Sequence, residues 1–141
     1  MTADLCIPEA IVCEVLQSQA LVPTSLYTAI GERVDIDVDP RDLDFDEASI
    51  VVTNEGFAVA GRGPVMVGRV QLKCYGGGED TEDAKGVFRL AGKRLINAAH
   101  ASVASGVLMS AVLQSGGNVV PVPQGVRPYV NGYFRVVVKG S

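Results

Sequence analysis

The stretch Val65-Met66-Val67-Gly68-Arg69-Val70-Gln71-Leu72-Lys73-Cys74-Tyr75-Gly76-Gly77-Gly78-Glu79-Asp80-Thr81-Glu82-Asp83 passes from one backbone periodicity to another. Val70, Leu72 and Cys74 alternate with Arg69, Gln71, Lys73 and Tyr75, the period of two expected of a strand with one buried face. Three glycines then break the strand. A helix is predicted from Asp80 or Thr81, with Glu82 and Asp83 in the first turn, where carboxylates favour the positive helix end. Ala84, Val87, Phe88, Ala91 and Leu95 follow at three- and four-residue spacing and form its apolar stripe. Gly86 and Gly92 weaken such a helix by roughly 1 kcal/mol each relative to Ala unless close packing needs them. Lys85, Arg89, Lys93 and Arg94 read as its solvated face.

Toward the N-terminus, Pro8 suits a first helical position, and Ile11, Val12, Val15 and Leu16 share one side of a helix closed by Leu21-Val22-Pro23. A second short helical turn is expected from Thr24 to Ile30, stopping at Gly31. Arg33 to Asp39 alternates strictly, with Val34, Ile36 and Val38 against Asp35, Asp37 and Asp39. That pattern predicts a half-buried strand with an acidic outer face, ended by Pro40. Ala48 to Thr53 is a β-branched run typical of a strand. Asn54-Glu55-Gly56 marks a turn, and Phe57 to Pro64 is a second strand or a loop.

Toward the C-terminus, strands are predicted over Val107–Gln114 and Tyr129–Lys139, the latter with Phe134, Val136 and Val138 on one face. The element order gives an α+β fold: a mixed, mostly antiparallel sheet with two main helices packed on one face. No internal repeat or linker divides residues 1–141, which read as a single domain.

Composition bounds the function. Hydrophobic residues are 48% of the 141 and charged residues 20%, so little charge is left to cover a monomer's surface, which favours burial against a partner. A net charge of −4 argues against a fold-wide site for nucleic-acid phosphates. Cys6, Cys13 and Cys74 form no CxxC and, with His100 the one histidine, make no familiar zinc pattern. An odd cysteine count and the absence of a signal-type N-terminal run suit a reduced cytoplasm. Asp, Glu, Lys and Arg are missing between Arg94 and Arg127, yet polar residues, glycines and prolines interrupt that stretch; a spanning helix is not expected, and the chain reads as soluble.

Chemistry finds little footing. A Ser–His or Cys–His pair would have to use His100, whose place near a helix end suits a cap better than a base. Asp35, Asp37 and Asp39, with Asp46, have the spacing of a calcium loop, but Pro40 stands where that loop needs glycine, and a period-two strand explains the same carboxylates. Gly76-Gly77-Gly78 before a helix resembles a phosphate cradle, but the acidic residues crowding that end oppose an anion. No catalytic residue, cofactor or metal is therefore expected. The segment Ser115 to Pro128 is long and uncharged until Arg127. Its Val119, Val120, Val122 and Val126 either dock on a neighbouring subunit's sheet edge or fold back on their own core.

Gly68 to Gly77, the acidic-start helix Asp80 to Asn97, Val107-Leu108-Met109 and Tyr133-Phe134-Arg135-Val136-Val137-Val138 together resemble the tail terminator, or tail-completion, proteins of long-tailed bacteriophages. The likeness extends over nearly the whole chain and lies in element order and hydrophobic pattern. It departs from the family before the second strand, where Ala48-Ser49 replaces a Pro-Tyr start; Pro128-Tyr129 occurs before the last strand instead. The resemblance implies a virion structural protein, assembled in the host cytoplasm, that forms a six-fold ring on the head-proximal end of the tail tube. Such a ring ends tube polymerisation and meets the head connector or stopper protein. Its partners would be copies of itself, the tail tube protein and the connector, with no membrane and no specific nucleic-acid binding, although DNA passes through. Asp35, Asp37 and Asp39 would then face the channel, where like charge keeps DNA from sticking. The competing expectations are a connector or stopper of the head–tail neck, and, in a different class, a small metal- or ligand-binding module.

Overall fold

The computed structural model describes residues 7–38, 43, 46–60, 64–78, 81–120 and 127–140. Among these, the order is α1 (Pro8–Leu16), α2 (Ser25–Ile30), β1 (Val34–Ile36), β2 (Ser49–Val59), β3 (Val65–Tyr75), α3 (Thr81–Asn97), β4 (Ala101–Val103), β5 (Gly106–Val120) and β6 (Tyr129–Lys139). The strands form one six-stranded sheet in the order β1-β2-β3-β6-β5-β4. Only β1 and β2 pair in parallel; every other pairing is antiparallel. The architecture is the expected α+β one.

The period of two in β3 becomes burial. Val70, Leu72 and Cys74 are fully covered, and with Ile50 and Val52 of β2 and Phe134, Val136 and Val138 of β6 they make the sheet's half of the core. The helices supply the other half: Ile11, Val12, Val15 and Leu16 from α1, Leu26 and Ile30 from α2, and Val87, Ala91 and Leu95 from α3. A buried aliphatic side chain of this kind contributes about 1.5–3 kcal/mol. The described helices therefore pack on one face of the sheet.

Several expectations are corrected. α1 stops at Leu16, well before Pro23, where the Gln17 amide closes on the Cys13 carbonyl. The acidic strand shrinks to Val34–Ile36, because it is an edge strand paired on one side and Asp37 leaves it at φ 52°. Val34 is buried, but Ile36 is 37% exposed, so the alternation does not carry a core face along its length. Asp39 lies outside the described residues. Asn54-Glu55-Gly56 is not a turn between strands but a bulge inside β2: the Asn54 side-chain oxygen accepts from the Gly56 amide at 2.7 Å, and pairing with β3 resumes at Phe57. The expected loop at Ser115 is strand as far as Val120, where Val119 and Val120 face Val130 and Tyr129 of β6. Gly116 (φ 135°) and Gly117 (φ 88°) sit at one of three register shifts, so glycines that signal a loop instead bend a strand. Val122 and Val126 lie outside the described residues. β4 was not expected.

Candidate functional site

α3 meets the sheet with Ala84, Val87, Ala91 and Leu95, leaving Lys85, Arg89, Lys93 and Ile96 on its outer side. Beside that outer side lies β5, and between them opens a groove of about 380 Å³. Its floor is apolar. Phe88 stands beside Phe134 with ring centroids 6.2 Å apart and planes tilted by 46°, an arrangement favoured by the ring quadrupoles. Gly132 makes room for it: a Cβ there would overlap the Phe88 ring.

The rim is basic. Lys85 pairs with Glu82 at 3.1 Å, whereas Arg89 and Lys93 have no ion pair among the described residues. Among the described residues no carboxylate lines the groove. Ile96 is 50% and Leu113 41% exposed, so apolar surface and positive charge share one concave strip.

Arg94 does not belong to this rim, contrary to the expected solvated face. It is fully buried and turns under α3 toward the end of α1. Its guanidinium donates to the carbonyls of Leu16 (2.9 Å), Ser18 (2.7 Å), Leu21 (2.7 Å) and Pro23 (2.8 Å). Burial lowers its pKa from the ordinary arginine value, and the carbonyl dipoles replace the lost water. A signal was present in the sequence: Arg94 follows Ala91 by three residues and so falls on the apolar stripe.

The opposite end of the sheet is acidic. Asp35 is half-buried on β1, with exposed Glu32 and Asp37 near it in sequence and exposed Glu55 further along the neighbouring β2. Arg33, the cation among them, is held by Glu47 at 3.2 Å. Asp35 and Asp37 are brought together near one edge but not on one strand face, because Asp37 adopts a left-handed backbone. No three His, Cys, Asp or Glu side chains among the described residues are placed to hold a metal ion. His100 stands in an exposed turn beyond α3 at φ 64°.

The helix-free face carries a ladder that the sequence reading missed. Arg69 lies over the Tyr133 ring at 4.8 Å, Lys73 over Tyr129 at 5.6 Å and Arg127 over Tyr75 at 5.1 Å. Cation and ring come from neighbouring strands, or from the segment entering β6, so only strand order could reveal the pairs. Arg127 also donates to the carbonyls of Glu47 (2.9 Å) and Gly76, tying the ends of three segments together.

No described helix is long and apolar enough to cross a membrane. No protein-family model matches the chain, and no curated protein sequence does. Among solved structures, a chain from the virion of a native gene transfer agent particle superposes with a TM-score of 0.64 over 94% of each chain, at 19% sequence identity. Across nearly its whole length, this chain is similar in fold to a virion-associated chain.

Proposed function

We propose that this protein is a structural subunit of a phage-like particle and works by assembly rather than catalysis. Within such a particle, it forms the ring that caps the head-proximal end of the tail tube, ends tube growth and presents a joining surface to the head. The observation that carries the reading is the end-to-end fold likeness to a chain of a gene transfer agent virion, over 94% of both chains. The resemblance of Gly68–Gly77 and the following helix to tail terminators supplies the finer role. The groove suits contact better than chemistry, since among the described residues its lining is cationic and apolar and holds no carboxylate, imidazole, hydroxyl or thiol.

The test is to remove the protein from a particle-producing cell and image the products by electron microscopy. Tubes of uncontrolled length beside filled, tailless heads are expected. Tails of normal length with heads that leak DNA would assign a neck stopper instead. Normal particles lacking the protein would overturn the structural reading altogether.

A further inference from the structure

The two ends of the sheet are unfinished in complementary ways. β4 covers β5 only from Gly106 to Leu108, so from Met109 to Val120 no described strand pairs with the outer edge of β5. At the other end β1 covers β2 only from Ile50 to Val52, leaving Thr53 to Val59 without an outer partner among the described strands. Free edges in stable monomers are usually guarded by charge or proline. β5 has neither along its fifteen residues.

Charge separates the two edges. Arg89 and Lys93 border the β5 edge with no ion-pair partner among the described residues, whereas Asp35, Asp37 and Glu55 border the β1–β2 edge. Apolar exposure accompanies both, with Val112 and Leu113 on one side and Ile36 and Val59 on the other. Resting on the assembly reading above, we propose that a second copy of this chain docks its acidic β1–β2 edge into the basic groove between α3 and β5, which places Asp35 and Asp37 in the subunit contact and not on the channel wall. The contact is head to tail. Because the two patches lie at opposite ends of one sheet, joining them cannot pair two copies symmetrically; each copy keeps one edge free for the next, until rotation closes a ring. Attraction of opposite charge sets the register, and strand edge with apolar contact supplies the rest.

The experiment mixes ¹⁵N-labelled and unlabelled protein at millimolar concentration, treats it with a zero-length carbodiimide cross-linker and maps the links by mass spectrometry. Intersubunit links from Asp35, Asp37 or Glu55 to Lys85 or Lys93 are expected. Reversing one edge (Asp35→Lys with Glu55→Lys) or the other (Arg89→Glu with Lys93→Glu) should weaken self-association at least about tenfold. Mixing the two variants should restore it, because alternating copies regain opposite charge at every contact. Circular dichroism checks that each variant folds, and Asp35→Asn with Glu55→Gln replaces an acidic-edge variant that does not. A wild-type protein that stays monomeric, links that join other residues, or reversals that the mixture fails to rescue would each overturn the proposal. The particle-level reading would survive those results, since it is decided by the morphology of particles made without the protein.

Discussion

Arg94 Nη1 donates to the carbonyl oxygen of Leu16 at 2.9 Å, joining the outgoing half of α3 to the last turn of α1, 78 residues earlier in the chain. Helix C-termini leave carbonyls without intrahelical donors, and a buried one must find a donor elsewhere. The fork of one guanidinium meets this need for Leu16, and also serves Ser18, Leu21 and Pro23 in the connection that follows.

Arg94→Met should therefore cost about 3 kcal/mol or more of stability, because carbonyls that lose a charged donor inside the fold are not resolvated. Arg94→Lys should recover only part of this, since an ammonium group cannot span the same fork. Urea denaturation measures both. Equal midpoints for wild type and Arg94→Met would mean that water replaces the guanidinium.

Burial, with Asp35 and Glu14 adding to it, pushes the Cys13 thiol up to about 11, and burial alone raises Cys74. Folding thus favours the neutral thiols. As pH climbs above the ordinary thiol value of about 9, the unfolded chain releases protons that the folded chain retains, so stability falls. The stability of Cys13→Ala should decline less steeply than wild type between about pH 9 and 11, as followed by thermal melts across that range. Parallel curves would remove Cys13 from the alkaline limb.

Gly86 lies within α3, and a Cβ added there would meet nothing within 4 Å. Gly86→Ala should raise stability by about 1 kcal/mol, through helix propensity and a less disordered unfolded chain. A melting temperature at or below wild type would reveal a packing role that the geometry does not show.

Gly132 is the opposite case. Its missing Cβ is the space into which the Phe88 ring fits. Gly132→Ala should destabilise by about 1–3 kcal/mol as that ring is forced from its place beside Phe134. Loss of ring-current shifts on the two phenylalanines in NMR spectra would report the displacement; unaltered spectra and stability would show that the groove floor yields freely.

Periodicity by itself determined the centre of this protein. Val70, Leu72 and Cys74 had to face a core together because strand side chains alternate, and Ala84 through Leu95 had to turn one stripe toward it because helices repeat every 3.6 residues. Local chemistry misled where glycine was read as an end of structure: Gly56 and Gly116-Gly117 bend strands that continue beyond them. Pairing with a neighbouring strand stabilises a bulge, and that neighbour is distant in sequence. For the same reason the fate of Arg94, a charge on an apolar stripe, waited on finding the open end of another helix across 78 residues. Strand order set Asp35 at one edge of the sheet, and the packing of α3 beside β5 set Arg89 near the other. The sequence supplied those charges, but their separation into two complementary edges exists only once six strands are laid side by side.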